Sequence, residues 1–184
     1  MSVFTNPASG SAEHGKAYTK AILDLLGDKS PLPVLEQTMP LLRKSLAGLT
    51  PEQEAKREAP GKWSVRHVMQ HLVDSELVWS WRLRLVLAQD RPTLTGYDQD
   101  LWAERLGYDE VDCARAMMEF SVVRNANLRL LHRVAPQDLK RVGLHVERGE
   151  ESVEHMIRLY AGHDLLHLRQ IERIRQAIGA SSTS

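Results

Sequence analysis

The chain has 184 residues with 24 basic and 24 acidic side chains, so its formal net charge at pH 7 is zero. This length fits one domain with its own core, and the neutral balance favours neither nucleic acid nor an anionic membrane surface as a partner. The single cysteine, Cys113, excludes an internal disulfide and a thiolate metal cluster, and no apolar run is long enough for a membrane helix, which together predict a soluble cytoplasmic protein.

Apolar residues recur mostly at spacings of three and four, which is the period of amphipathic helices rather than of strands. This pattern predicts an all-α fold, a single helical bundle over residues 13–178, with flexible ends at 1–12 and 179–184. Ser64 is the predicted N-cap of the third helix, and Gly179 is predicted to end the last one. In chain order, the predicted helices cover residues 14–26, 32–48, 64–89, 110–134 and 151–178.

Two irregular segments separate the later helices. Residues 90–107, DRPTLTGYDQDLWAERLG, are too many for a tight turn, so this segment is predicted to pack back over one end of the bundle. Residues 142–151, VGLHVERGEE, connect the last two long helices and could form a small hairpin. No convincing pair of strands joined by a two-residue glycine turn occurs in the sequence.

Two histidines lie four residues apart in the last predicted helix, within the stretch AGHDLLHLRQIERI. At about 100° per residue, His163 and His167 fall inside the inward apolar stripe of that helix. The stripe consists of Met156, Tyr160, Ile171 and Ile174. A buried imidazole needs partners for both ring nitrogens or bears a desolvation cost. Neutral imidazoles at this spacing can bind one Zn²⁺ at about 2.0–2.1 Å, so the pair favours a shared metal ion.

A third ligand has to come from another helix, and the 64–89 helix contains a second pair with the same spacing, His67 and His71. His71 lies at the edge of the apolar stripe of that helix, whereas His67 is turned about 40° further toward solvent. We therefore predict that His71 completes the site. A lone inward histidine is more often a hydrogen-bonded core residue than a ligand, but two such pairs on two helices favour a metal ion.

Two stretches carry a resemblance to a known family: GKWSVRHVMQHLVDSELVWSWRLRLVLAQDRPTLTGYDQDLWAE and RLYAGHDLLHLRQIERI. They resemble the DinB/YfiT-like superfamily of metalloenzymes, and the similarity extends over residues 32–178. The resemblance implies a four-helix bundle with three histidine ligands, one in the H-L-x-D-x-E context that follows Trp63-Ser64 and two in an H-x-x-x-H on the final helix. Here these ligands are His71, His163 and His167. The residues before position 30 add a helical segment that the resemblance does not place.

Three histidine ligands leave one tetrahedral position open, which is typical of catalytic rather than structural zinc. A water or thiol bound there ionises more readily. The resemblance implies either a metal-dependent hydrolase or an S-transferase that uses a low-molecular-weight thiol such as bacillithiol or mycothiol. Zinc is the expected metal, with nickel and iron as alternatives. The expected partner is a small-molecule substrate, the resemblance is compatible with a homodimer, and the alternative function is a non-catalytic bundle that binds a metal or small molecule.

Three carboxylates near these histidines are candidates for a part in the reaction. Asp164 follows His163 as a glutamate follows the first histidine of HExxH zinc proteases, although its side chain is shorter and a bundle is the wrong fold for that class. Asp74 and Glu76 lie one turn beyond His71, where either could hold the second nitrogen of a ligand imidazole. The alternative for both is a solvated carboxylate paired with arginine on the helix surface.

Two further side chains have two interpretations each. Tyr160 lies one turn before the histidine pair, where it is either a hydroxyl that lines the metal pocket or a core aromatic residue. Arg82 lies close to the inward side of its helix, where a guanidinium either pairs with a carboxylate in the bundle or binds an anionic substrate. The sequence favours a structural role for Arg82.

Overall fold

The computed structural model describes residues 12–180, and the all-α class is confirmed. All five predicted helices are present, and their ends lie within three residues of the predicted ends. In chain order the helices are α1 (Ala12–Leu26), α2 (Pro31–Leu46), α3 (Pro51–Ala55), α4 (Val65–Ala88), α5 (Gln99–Arg105), α6 (Cys113–Leu131) and α7 (Val153–Ala177). Short 3₁₀ turns at Tyr108–Glu110 and Pro136–Lys140 precede and follow α6.

The four helices α2, α4, α6 and α7 form the bundle. Helix α7 packs against α2 and α4, and α6 packs against α4 and α2. The apolar core is divided into two clusters, one around the first half of α4 and the other around its second half. The α4 members are Val65, Val68, Met69, Leu72 and Val73 in the first cluster, and Trp79, Leu83 and Val86 in the second. Between the clusters α4 buries polar side chains instead, and the functional candidates lie in this polar layer.

Local sequence signals set several helix ends. Helix α3 was not predicted, yet it has a complete capping box: the Gln53 N–H donates to Thr50 Oγ1 at 3.3 Å, and the Thr50 N–H donates to Gln53 Oε1 at 3.0 Å. Ser64 directly precedes α4 as predicted, but its hydroxyl bonds to the His67 ring and caps no backbone N–H. Gly179 ends α7 in the left-handed region with φ 72°, which confirms the predicted end.

A small sheet lies beside the bundle. Its strands are β1 (Thr93–Leu94), β2 (Val142–His145) and β3 (Gly149–Ser152), in the order β1-β2-β3. Strands β2 and β3 form the antiparallel hairpin expected in residues 142–151, and β1 joins β2 in parallel. Leu94 belongs to the second core cluster, so residues 90–107 do pack back against the bundle. The sequence showed neither β1 nor α5, because both are short and β1 pairs with residues far along the chain.

Helix α1 lies antiparallel to α7. Arg158 donates to the Gly27 carbonyl at 3.0 Å, and one turn further along α7 Gly162 faces the carbonyl of Ile22. A Cβ at Gly162 would lie 2.4 Å from that oxygen, so glycine permits the two backbones to approach closely. The N-terminal helix, which the resemblance did not place, therefore packs directly beside His163.

The predicted flexible ends, 1–12 and 179–184, fall outside the described residues except for Ala12, Gly179 and Ala180. Ala180 is only 9% exposed, and its N–H bonds to the Arg175 carbonyl at 2.9 Å, so this residue packs against the end of α7. Across the described range, no helix has both the length and the apolar character needed to cross a membrane.

Candidate metal centre

The three predicted ligands meet between α4 and α7. His163 Nε2 lies 3.2 Å from His71 Nε2 and 3.1 Å from His167 Nε2. All three ligand nitrogens lie within 4.8 Å of one another. The structure thus brings together His71, from the first half of α4, with the i, i+4 pair on α7. We call these three nitrogens the histidine centre.

The spacing within the histidine centre suits a small divalent cation. Zinc–nitrogen bonds of about 2.0–2.1 Å at tetrahedral angles put neighbouring ligand atoms about 3.3 Å apart. The two shortest separations here are 3.1 and 3.2 Å. Hydrogen bonds among the rings cannot pair all three nitrogens well, because His163 Nε2 faces two other nitrogens and carries at most one hydrogen. The donor set therefore fits a metal ion that accepts a lone pair from each ring.

Burial keeps the three imidazoles neutral, as metal ligands must be. His71 and His167 are 1% and 5% exposed, and His163 is partly exposed. Burial, with a smaller contribution from His167, lowers the pKa of His71 well below its usual value, and the same two causes lead the large decrease in the pKa of His163. Burial also lowers the pKa of His167 to about 4. At neutral pH all three rings can offer a lone pair.

One ligand is oriented by a hydrogen bond from its outer nitrogen. His167 Nδ1 lies 2.8 Å from Gln170 Oε1, and donation to that oxygen leaves the lone pair on Nε2 directed at the centre. The indole of Trp63 lies beside the His71 ring, with centroids 5.1 Å apart. The Nδ1 atoms of His71 and His163 are buried and have no hydrogen-bond partner among the described residues. These two rings are held by packing rather than by outer hydrogen bonds.

His67 lies outside the histidine centre, but the reason differs from the predicted one. The helical wheel predicted that His67 points toward solvent. This prediction was wrong, because His67 is only 4% exposed. The 57–64 segment covers it: Ser64 Oγ lies 2.9 Å from Nδ1, and Arg57 donates to Nε2 at 3.1 Å. Both ring nitrogens are therefore engaged away from the histidine centre.

The structure places Asp164 in a buried ion-pair network instead of beside the ligand nitrogens. Arg124 donates to both Asp164 oxygens at 2.6 and 3.1 Å, and to both Glu76 oxygens at 3.0 and 2.8 Å. Thr38 adds a hydrogen bond to Asp164 at 2.6 Å. Glu76 and Asp164 are at most 1% exposed. Neither carboxylate contacts a ligand imidazole, and both are committed to the guanidinium that joins α4, α6 and α7.

The remaining candidates are also engaged elsewhere. Asp74 accepts hydrogen bonds from the Tyr108 hydroxyl and, at 3.1 Å, from Gln70, so it does not hold the His71 ring. Tyr160 does lie near the centre, with its ring centroid 5.6 Å from that of His163. Its hydroxyl donates to the carbonyl oxygen of Ser75 and does not point at the ligand nitrogens. Tyr160 thus ties α7 to α4 beside the centre.

Several residues of this layer were missed by sequence reasoning. Arg124 lies in the middle of α6, where a charged residue usually marks a solvated face, and only its complete burial shows its role. Gln170 had a usable signal, because position i+3 from His167 lies on a neighbouring turn of the same helix. Ser75 had a comparable signal, because position i+4 from His71 lies on the same face of α4. Tyr97, which contacts the Ser75 hydroxyl from an irregular segment, gave no such signal.

A polar cavity of about 530 Å³ opens beside His167. Two ion pairs border it, Arg57 with Asp109 at 2.8 Å and Arg173 with Glu58 at 2.7 Å. The other lining residues include Tyr18, Lys62, Trp63, Gln99, Asp100, Glu104 and Gln170. Charges of both signs around an aromatic wall suit a small polar molecule.

Helical bundles build their metal sites from side chains on facing helices, and three convergent imidazoles on α4 and α7 form a site of this kind. Residues 35–171 match the sequence model of the DinB superfamily. This match covers most of the chain, so the protein belongs to the DinB superfamily.

Known relatives agree with this assignment. A protein of Oceanobacillus iheyensis named "Putative metal-dependent hydrolase" is 30% identical over 138 residues, which cover 74% of this chain and 79% of that one. A Bacillus mycoides protein with the same description is 33% identical over 119 residues, covering 64% and 68%. Among solved structures, YfiT from Bacillus subtilis, described as a probable metal-dependent hydrolase with an unusual four-helix bundle topology, is similar with a TM-score of 0.77 and 25% identity. That similarity covers 82% of this chain and 87% of YfiT.

Proposed function

We propose that this protein is a metal-dependent hydrolase of a small polar substrate, with a divalent cation, zinc foremost, held by His71, His163 and His167. The observation that carries the proposal is the meeting of three buried, neutral imidazole nitrogens at separations of 3.1 and 3.2 Å. The descriptions of the two relatives and of YfiT support it.

Among the described residues, three side chains offer ligand atoms, so the site has the donor set of a catalytic rather than a closed structural centre. When bound there, the cation would act as a Lewis acid that polarises a substrate oxygen and lowers the pKa of a water molecule. The chain itself binds and orients the reactants. Gln170 fixes the tautomer of His167, the buried network of Arg124 fixes α7 relative to α4, and the cavity beside His167 admits the substrate.

Metal content tests the ligand assignment. The purified chain should bind about one equivalent of Zn²⁺, and His71→Ala, His163→Ala and His167→Ala should each lose it. His132→Ala is the matched control, because this histidine is exposed and contacts only Glu36 in the ion pairs described. Metal retention in all three ligand variants would contradict the assignment.

Turnover tests the reaction. We expect hydrolysis within a panel of small polar esters and amides, loss of activity with a chelator, and recovery on adding Zn²⁺. The same panel should include an electrophile such as monochlorobimane with several low-molecular-weight thiols. Thiol-dependent turnover without hydrolysis would replace the proposed reaction by thiol S-transfer. Metal binding without any turnover across both panels would favour a non-catalytic binding protein.

A further inference from the structure

Two hydroxyl groups lie beside the histidine centre. Ser75 follows His71 by four residues on α4, so the two side chains share a face of the helix. Ser75 Oγ lies 3.3 Å from His71 Nε2, the nitrogen that faces the other ligands, and 2.9 Å from the hydroxyl of Tyr97. Ser75 is 4% exposed. The hydroxyl pair therefore links the centre to a residue outside the bundle helices.

The segment that carries Tyr97 is fixed in place. Arg82 donates to the carbonyl of Thr95, two residues earlier, which gives this inward arginine the structural role that the sequence favoured. The Tyr97 ring packs on Trp102 with centroids 4.4 Å apart. At Gly96 a Cβ would lie 2.3 Å from Glu147 Oε1, so the chain passes directly under that carboxylate. These contacts hold the Tyr97 hydroxyl against Ser75.

Ser75 itself is held from both sides. The Tyr160 hydroxyl donates to its carbonyl oxygen, and the Tyr97 hydroxyl contacts its side chain. Burial raises the pKa of Tyr97, so this phenol keeps its hydrogen and can donate it at neutral pH. If Tyr97 donates to Ser75 Oγ, the single hydrogen of Ser75 is free to turn toward the histidine centre.

The hydrogen of the Ser75 hydroxyl has two possible acceptors, one in the metal-free chain and one in the metal-bound chain. In the metal-free chain the lone pair of His71 Nε2 can accept it at 3.3 Å. Once that lone pair coordinates a cation, the nitrogen can no longer accept, and the Ser75 hydroxyl needs another acceptor. Ser75 Oγ still accepts from Tyr97, but a buried hydroxyl hydrogen without an acceptor costs free energy, so the site favours a ligand with a lone pair in this position.

We propose that Ser75 donates a hydrogen bond to the substrate atom at the open position of the histidine centre, and that Tyr97 is a positioning residue that orients the Ser75 hydroxyl. This inference rests on the proposed function and deepens it, because it assigns the substrate class. The atom that binds is a hydrogen-bond acceptor, such as a carbonyl oxygen or an anionic carboxylate oxygen, and not a hydrogen-bond donor such as an ammonium group.

Ligand binding to the cobalt-substituted protein tests this without any substrate. Co²⁺ in a three-histidine site has visible absorption bands that change when azide binds, so a titration gives the azide Kd. We expect Ser75→Ala to raise this Kd about 10-fold and Tyr97→Phe to raise it about 3-fold, because a hydrogen bond to a charged acceptor is lost or misdirected. The affinity for Co²⁺ itself should change less than about 2-fold in both variants, since neither supplies a ligand.

Two variants serve as controls. Ser75→Thr keeps the hydroxyl and should restore the wild-type azide Kd, which a packing defect in Ser75→Ala would not predict. Tyr108→Phe removes a different buried hydroxyl, which donates a hydrogen bond to Asp74 on α4. This variant should leave the azide Kd unchanged.

Each outcome bears on a distinct claim. Equal azide Kd values for the wild type, Ser75→Ala and Tyr97→Phe would overturn the inference and leave the metal site intact. A loss of azide affinity in Tyr108→Phe equal to that in Tyr97→Phe would overturn the positioning role of Tyr97. A wild-type chain that takes up no Co²⁺ would overturn the proposed function together with this inference.

Discussion

Replacing Arg124 tests whether the buried ion-pair network holds the histidine centre together. The Arg124 guanidinium is completely buried and makes five hydrogen bonds, two each to Glu76 and Asp164 and one to the Leu35 carbonyl. Arg124→Met fills much of the same space but leaves two buried carboxylates without a cation. Removing one partner of a buried pair typically costs about 3–5 kcal/mol, and two stranded carboxylates put this variant at the upper end, about 5 kcal/mol.

The loss of stability in Arg124→Met should depend on pH. Burial already raises the pKa of Glu76, and Arg124 is the main influence that lowers it again. Without Arg124 the folded-state pKa rises further above that of the unfolded chain, so the unfolding free energy falls as pH increases through this interval. The destabilisation should therefore be smaller at pH 5 than at pH 8.

Urea unfolding followed by circular dichroism and tryptophan fluorescence measures both effects. A loss of 5 kcal/mol is comparable to the total stability of many domains, about 5–15 kcal/mol, so Arg124→Lys provides a milder variant that keeps the charge but loses the planar fork. Adding Glu76→Gln and Asp164→Asn to Arg124→Met should recover part of the loss. A cost below about 1 kcal/mol for Arg124→Met, or a cost that does not change with pH, would refute the reasoning.

Three further predictions concern other parts of the structure. Gly162→Ala should lower the unfolding free energy by about 1–3 kcal/mol, because its Cβ would meet the Ile22 carbonyl. Gly15→Ala is the control in the same urea experiment: beyond its own helix, no atom of the described residues lies within 4 Å of the added Cβ, so the unfolding free energy should stay unchanged or rise. Gln170→Leu should weaken Zn²⁺ binding about 10-fold in chelator competition, because His167 loses its orienting hydrogen bond. An unchanged Zn²⁺ affinity would show that packing alone orients the His167 ring. Burial, followed by Arg148 and Arg82, lowers the pKa of His145 to about 4. Below about pH 6.5 this ring therefore gains a proton when the chain unfolds, and the unfolding free energy should fall as the pH is lowered from 6.5 toward 4. His145→Gln should flatten that fall, and an identical slope in both proteins would contradict the assignment.

The sequence determined the helices and the three histidines that form the histidine centre. Apolar residues at spacings of three and four fixed the five long helices, and the same periodicity put His163 and His167 on the inward face of α7. The helical wheel for α4 favoured His71 over His67, and the structure does bring His71 together with His163 and His167. It failed on the burial of His67, because a wheel shows the direction of a side chain from its own helix and not the 57–64 segment that covers it.

Only the tertiary structure decided the surroundings of the site. Asp164 is the neighbour of His163 in sequence, yet consecutive helical residues point about 100° apart, and its partner Arg124 lies 40 positions away on another helix. Tyr97 reaches Ser75 across 22 positions from an irregular segment. Periodicity depends on a few adjacent residues and can be read locally. The rotation of one helix against another, and the path of a connecting segment, depend on how all the side chains pack together, so no local pattern could show these contacts.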